Sequence, residues 1–190
     1  MASNGEVLTK AARVRAMVLD VDGVLTDAGL YYGPHGESMK RFSARDGFGI
    51  AVARHAGLAV AVLSGRVAPP LKSRLRDLGI PPERVIQGST NKADDIDRLA
   101  HIIDTPLEAI AFMGDDVPDL PVLLRVGLAA CPADAAPEVI EVAHLVCRAR
   151  GGSGAVRELA ETLLRAQGRW EPLVAAWREG TPPPVASLKQ

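Results

Sequence analysis

The stretch AMVLDVDGVLTD, residues 16–27, decides how the chain is read. Its first four residues are apolar, as in a strand buried on both faces. They run straight into three carboxylates within eight residues: Asp20, Asp22 and Asp27. Asp20 and Asp22 flank one valine, so an extended backbone turns both side chains to the same side. Like charges held that close repel, and a bound cation is the usual reason for such a pairing.

Further apolar runs recur along the chain: LAVAVLS (58–64), RVIQ (84–87), AIAFMG (109–114), GLAA (127–130) and HLVC (144–147). Helical patterns separate them at residues 47–56, 69–78, 92–103, 118–125 and 137–142, and GSGAVRELAETLLRAQ (152–167) closes the series. This β-α alternation predicts an α/β fold, a Rossmann-like three-layer sandwich with a mainly parallel central sheet and no large cap domain. One segment breaks the rhythm. GLYYGPHGESMKRF (29–42) has two short arms around the turn signal GPHG, which predicts an inserted β-hairpin. Tyr31 and Tyr32 need cover, so the hairpin is expected to pack on another subunit or over the site.

At 190 residues, with 47% hydrophobic and 24% charged side chains, one folded domain over residues 1–168 is expected, followed by a Pro-rich tail, 169–190, ordered only where it docks. Aromatics are only 4%, so Val, Leu, Ile and Ala must build the core. With 22 basic and 23 acidic residues there is no electrostatic case for nucleic acid or an anionic membrane. Cys131 and Cys147 have neither metal spacing nor a disulfide-rich pattern and read as buried thiols in a reducing compartment. No apolar run approaches the roughly 18 residues of a membrane span, and the N-terminus lacks an h-region, so a cytoplasmic protein is expected.

Ligands in open α/β sheets bind beyond the carboxyl ends of the strands. There the sequence places Asp20 and Asp22, then Ser64 with Arg66, then Asp115, Asp116 and Asp119, with Lys92 opening a helix at the same edge. Taken singly, these are ordinary capping residues or a solvated lysine. Together and in order they form a phosphoryl-transfer set. Carboxylates suit Mg²⁺, which prefers one or two of them plus water and phosphate oxygens. Ser64 and Lys92 can neutralise a phosphoryl group, and a carboxylate can attack phosphorus. A neighbouring acid must then protonate the leaving oxygen, and Asp22 is placed for that role.

In this order the residues resemble the haloacid dehalogenase-like superfamily of aspartate-nucleophile phosphatases: DVDGVLTD, Ser64 in LSGR, Lys92, and GDDVPD at 114–119. The runs DVDGVLTDAGLYYGPHGE, KRFSARDGFGI, GDDVPDLPVLLRVGL and RGGSGAVRELAETLLRAQG are similar to its small cap-less family of 3-deoxy-D-manno-octulosonate 8-phosphate phosphatases. The resemblance implies that Asp20 is the nucleophile and a Mg²⁺ ligand, that Asp22 is the acid/base and lends its carbonyl to the metal, and that Asp115 completes the protein ligands. It implies supporting roles for Asp116 and Asp119, and contacts from Ser64 and Lys92 to the phosphoryl oxygens. Thr26 and Asp27 read as structural caps.

For the acidic sugar, the resemblance points to Ser43, Ala44, Arg45, Asp46 and Gly47, together with Arg66, Arg74 and the active-site Asp22 and Lys92. Arginine forks match a carboxylate bidentately, which agrees with part of that set. The family also implies a homotetramer in which hairpins assemble and a neighbour's C-terminal region helps close the site. The loop RGGSG (150–154) reads as flexible, and either reaches toward ligand or simply starts a helix. The implied activity lies in lipopolysaccharide precursor biosynthesis. The rivals are a phosphatase of acylneuraminate or deaminated neuraminate 9-phosphate, against which Arg66 argues, a broad sugar phosphatase, and a non-catalytic oligomerising subunit, against which the complete catalytic set argues.

Overall fold

The computed structural model describes residues 4–181 of the chain. Its centre is β1 (Ala16–Leu19), all four residues of which are buried. The side chains alternate as a pleated strand requires: Met17 and Leu19 join one hydrophobic cluster, Ala16 and Val18 the other. A strand packed on both faces cannot show polar alternation, which is why the run reads as continuously apolar.

From β1 the chain passes through a hairpin, β2 (Tyr31–Gly33) and β3 (Gly36–Met39), into helix α2 (Ala44–His55). It then builds outward through β4 (Ala59–Leu63), α3 (Pro69–Asp77) and β5 (Val85–Ile86). Helix α4 (Lys92–Ile102) carries it back past β1 to β6 (Ile110–Met113), α5 (Leu120–Leu123), β7 (Leu128–Cys131), α6 (Pro137–Val142) and β8 (Leu145–Val146). The sheet order is β5-β4-β1-β6-β7-β8, with every pairing parallel. Strand order therefore reverses beside β1, and the crevice at its carboxyl end is the topological switch point where such sheets bind ligands.

Three helices differ from the sequence expectation. Helix α1 (Asn4–Arg13) was not anticipated, yet Val7 and Ala11 lie on one face at helical spacing and, with Val14 just past its end, are buried against the core. Helix α2 begins at Ala44 rather than at residue 47, because Ser43 accepts the Asp46 N–H and caps it. After α7 (Ala155–Ala166), part of the expected tail folds as α8 (Trp170–Arg178). Aromatic cover explains it: the Arg157 guanidinium lies 4.5 Å from the Phe48 ring centre and 4.8 Å from that of Trp170, and Trp177 meets Phe48 edge-on at 5.7 Å. Residues 182–190 of the tail lie outside the described residues. Among those described, no helix is long and apolar enough to cross a membrane.

The hairpin forms within residues 29–42 as expected, with Tyr31 opposite Met39. Its outer side remains apolar and open: Tyr32 is 68% and Met39 62% exposed.

Candidate active site

The sheet sets the site out by extending each strand one hydrogen bond beyond its apolar run. Asp20 N–H donates to the Met113 carbonyl at 3.0 Å, Ser64 N–H to Ile86 at 2.9 Å, and Gly114 N–H to Ala130 at 3.2 Å. Each polar residue thus starts from a backbone that the parallel sheet holds rigid. Lys92 is the first residue of α4, whose N-cap Asn91 accepts the N–H groups of Ala93 and Asp94. Asp20, Asp22, Ser64, Arg66, Lys92 and Asp115 consequently line one cleft of about 460 Å³, with Asp116 and Asp119 on its wall.

Three carboxylates, Asp20, Asp115 and Asp119, have oxygens within 4.8 Å of one another. Asp119 is already committed. One of its oxygens accepts Lys92 Nζ at 2.6 Å, and the other accepts the Asp115 and Asp116 N–H groups at 3.0 and 3.3 Å. Asp116 caps the same turn, accepting the Val117 N–H at 2.8 Å, so both acids brace the loop. Asp20 shares Lys92 with Asp119, and Asp115 Oδ1 is buried with no hydrogen-bond partner among the described residues. Burial, reinforced by the Asp119 charge, raises the Asp20 carboxyl to about 7. Burial and the neighbouring Asp20 and Asp119 charges raise Asp115 to about 8. Burial opposes the charge on Lys92, but Asp20, at 3.2 Å, and Asp119 hold it above the usual lysine value. One ammonium does not offset this much negative charge, and an all-oxygen donor set with an orphaned carboxylate oxygen suits a hard divalent cation.

Gly23 makes the close approach possible. It sits at φ +84°, and a Cβ there would lie 1.9 Å from Asp115 Oδ2. Gly23→Ala adds about 1–2 kcal/mol of left-handed strain and drives Asp115 from its place. We expect at least a tenfold weaker divalent-ion affinity by titration calorimetry, with wild-type affinity the contrary result. Thr26 and Asp27 hydrogen-bond to local backbone, at Val21, Ala28 and Gly29, as capping residues do. The RGGSG loop packs against the core: Gly151, Gly152 and Gly154 are buried, and Gly152 N–H donates to the Val24 carbonyl at 2.9 Å, buttressing the Asp20–Asp27 turn.

The Asp22 carboxylate does not join the three-acid cluster. Lys40, from the end of the hairpin, pairs with its Oδ1, and Arg66 Nε stands 3.5 Å from its Oδ2. Glu37 links the two cations, 2.7 Å from Lys40 and 3.0 Å from Arg66. The hairpin expectation placed this segment near the site, but Lys40 and Glu37 were not singled out. Their signal in the sequence is faint, since charges on a short exposed strand ordinarily face solvent.

The remaining sugar-binding candidates lie apart from the cleft. Ser43 caps α2, while Ala44 and Arg45 are exposed on its first turn. Asp46 is buried and accepts the Gly154 and Arg157 N–H groups at 3.1 and 2.9 Å, clasping the start of α7 rather than pairing with Arg45. Gly47 leaves room for Arg74, whose guanidinium donates to the Ser43 carbonyl and covers the Phe42 ring. Ser89, Thr90 and Asn91 line the cleft instead and were missed, although STN before a helix is a capping signature.

A family model for haloacid dehalogenase-like hydrolases matches residues 83–159. The 3-deoxy-D-manno-octulosonate 8-phosphate phosphatase of Escherichia coli K12 is 42% identical over 166 residues, 87% of each chain. The chain belongs to this family of haloacid dehalogenase-like phosphatases. The crystal structure of the family member from Yersinia pestis superposes with a TM-score of 0.84 at 39% identity, covering 87% of this chain and 89% of that one. The Moraxella catarrhalis member, at 29% identity and a TM-score of 0.88 over 92% and 99% of the two chains, was solved with magnesium, phosphate and the 3-deoxy-octulosonate sugar bound.

Proposed function

We propose that this chain is a Mg²⁺-dependent phosphatase that converts 3-deoxy-D-manno-octulosonate 8-phosphate to the free sugar acid and phosphate. One observation carries the reading: Asp20, Asp115 and Lys92 converge at the sheet's switch point in a chain 42% identical to a phosphatase named for that substrate. An Asp20 oxygen attacks phosphorus and the ester P–O bond breaks, leaving an aspartyl phosphate. Asp22 protonates the departing sugar oxygen, then takes a proton from the water that hydrolyses the acyl phosphate. Ser64 and Lys92 hold the phosphoryl oxygens. Asp20, Asp115 and the Asp22 carbonyl would hold the metal, which would supply positive charge against those oxygens. Asp116 and Asp119 support Lys92 and the loop that carries Asp115.

Arg66, with its guanidinium at the cleft mouth, binds the sugar carboxylate. Ser43, Ala44, Arg45, Asp46, Gly47 and Arg74 do not line this cleft, so a substrate contact from them requires a sugar that extends past its lining or the cleft of a neighbouring copy. A homotetramer joined through the apolar hairpin faces meets that requirement. A panel of phosphate monoesters that includes both the eight-carbon and the nine-carbon acidic sugars tests the substrate, with kcat/KM expected to be highest for the eight-carbon one. A flat profile overturns the assignment. Arg66→Ala should raise KM for the carboxylate-bearing ester by about tenfold, the order of 1–2 kcal/mol for one charged hydrogen bond, while leaving a neutral ester's KM in place.

A further inference from the structure

The hairpin does more than present an apolar face. Lys40 has a side chain only 1% exposed, although it follows a short strand whose neighbours face solvent. Ordering a lysine costs up to about 2 kcal/mol of rotamer entropy, so its burial requires specific partners. It has two, from different elements: Asp22 Oδ1 on the turn after β1, and Glu37 on β3. Glu37 reaches on to Arg66, and Arg66 returns to within 3.5 Å of Asp22 Oδ2. The four side chains alternate in sign around a ring whose loosest link is Arg66 Nε to Asp22 Oδ2, at 3.5 Å. Asp22 Oδ2 is buried with no hydrogen bond among the described residues.

We infer that Lys40 positions Asp22, which lines the cleft, by holding Oδ1 and leaving Oδ2 as the oxygen that carries the proton to and from the substrate. The inference rests on the phosphatase reading of the site. An aspartate side chain has three staggered settings about its first torsion, and only a setting that aims an oxygen at the ester oxygen transfers a proton. An ammonium with three donors, anchored by Glu37, selects one of them. Lys40 touches no reacting atom and acts through Asp22, while Glu37 acts through Lys40. The hairpin is thereby coupled to the proton-transfer step, and its placement sets how well that step runs.

The dependence of rate on the leaving group tests this. A general acid matters most when the departing oxygen is a basic alkoxide and little when it is 4-nitrophenolate. Full-length protein saturated with Mg²⁺ is assayed on phosphate monoesters that carry no carboxylate, from 4-nitrophenyl phosphate through less activated aryl phosphates to simple alkyl phosphates. Because kcat/KM covers only steps up to leaving-group departure, hydrolysis of the aspartyl phosphate does not enter. For Lys40→Met we expect kcat/KM to fall by about threefold for 4-nitrophenyl phosphate and about 100-fold for alkyl phosphates, the lower range of general acid catalysis. Lys40→Arg should recover most of the alkyl activity. Glu37→Gln, which keeps the lysine but weakens its anchor, should give an intermediate slope and decides the matter if Lys40→Met does not fold.

An equal loss across the series overturns the inference and reduces Lys40 to a structural role. Unchanged kcat/KM on all of these carboxylate-free esters overturns it as well, and leaves Lys40 no part in proton transfer. If wild-type protein hydrolyses none of the esters, the phosphatase reading itself fails, an outcome separate from either.

Discussion

Asp20→Asn is expected to lower kcat by on the order of 10⁴-fold or more, with the fold intact. The amide keeps the size and shape of the carboxylate but cannot attack phosphorus. The backbone pairing that places residue 20, from its N–H to Met113, is untouched. Lys92 loses one partner but keeps Asp119 at 2.6 Å, so no buried ammonium is stranded. Removing one charge from a crowded pair should also leave the chelated protein melting no lower than wild type at pH 8. Steady-state assays with Mg²⁺, beside melting curves in EDTA, check both points. Turnover within tenfold of wild type would sink the nucleophile assignment, and a collapsed melting transition would make the residue structural.

The second large effect concerns pH and the metal. In the folded protein Asp20 and Asp115 titrate near 7 and 8, against an ordinary value of 3.8. A carboxyl with a raised folded value binds more protons in the folded state than in the unfolded chain between those limits. Stability therefore falls as pH rises from about 4 to about 8, and levels off beyond. Each unit is worth about 1.4 kcal/mol, and because the two acids are coupled the combined loss is on the order of several kcal/mol rather than a simple sum. Lys92, held above its ordinary value, stays charged throughout. EDTA-treated protein should then lose about 10 °C in melting temperature between pH 5 and 8.5. With Mg²⁺ the carboxylates are held ionised, the curve flattens, and the stabilisation by metal grows with pH. A chelated protein whose melting temperature stays level or rises over that range would contradict the reading of the acidic pair.

The parts of this site that could be read in the sequence are those attached to strands. Asp20, Ser64 and Asp115 each follow an apolar run, and a parallel sheet sends every such end to one edge. Lys92 opens the helix returning from that edge. Strand pairing alone brings these residues together, so their spacing along the chain carries the information. Asp46 shows the opposite case: it looked like part of a ligand-binding loop, yet it holds the N–H of Gly154, 108 residues away. Lys40 and Glu37 carried little signal of their own in the sequence, and it is the hairpin that brings them onto Asp22. Helix α8 was hidden because a Pro-rich end dominates the tail's composition, while its stability comes from Trp170 and Trp177 meeting Arg157 and Phe48.

Hydrophobic periodicity and strand-end polarity are local properties, so the parallel α/β sheet, the hairpin insertion, and the set of acids with one lysine at the carboxyl edge are legible in the chain before it folds. Only the tertiary structure decided how those acids divide their work. Asp119 is spent on Lys92 and backbone N–H groups, Asp115 keeps one buried oxygen without a hydrogen bond among the described residues, and Asp22 is drawn to Lys40 instead of the acidic cluster. The physical reason is that a carboxylate's role depends on which donors reach it. The backbone donors to Asp119 are local, but Lys40 reaches Asp22 from 18 residues away and Lys92 reaches Asp119 from 27, and those pairs meet only when the chain folds.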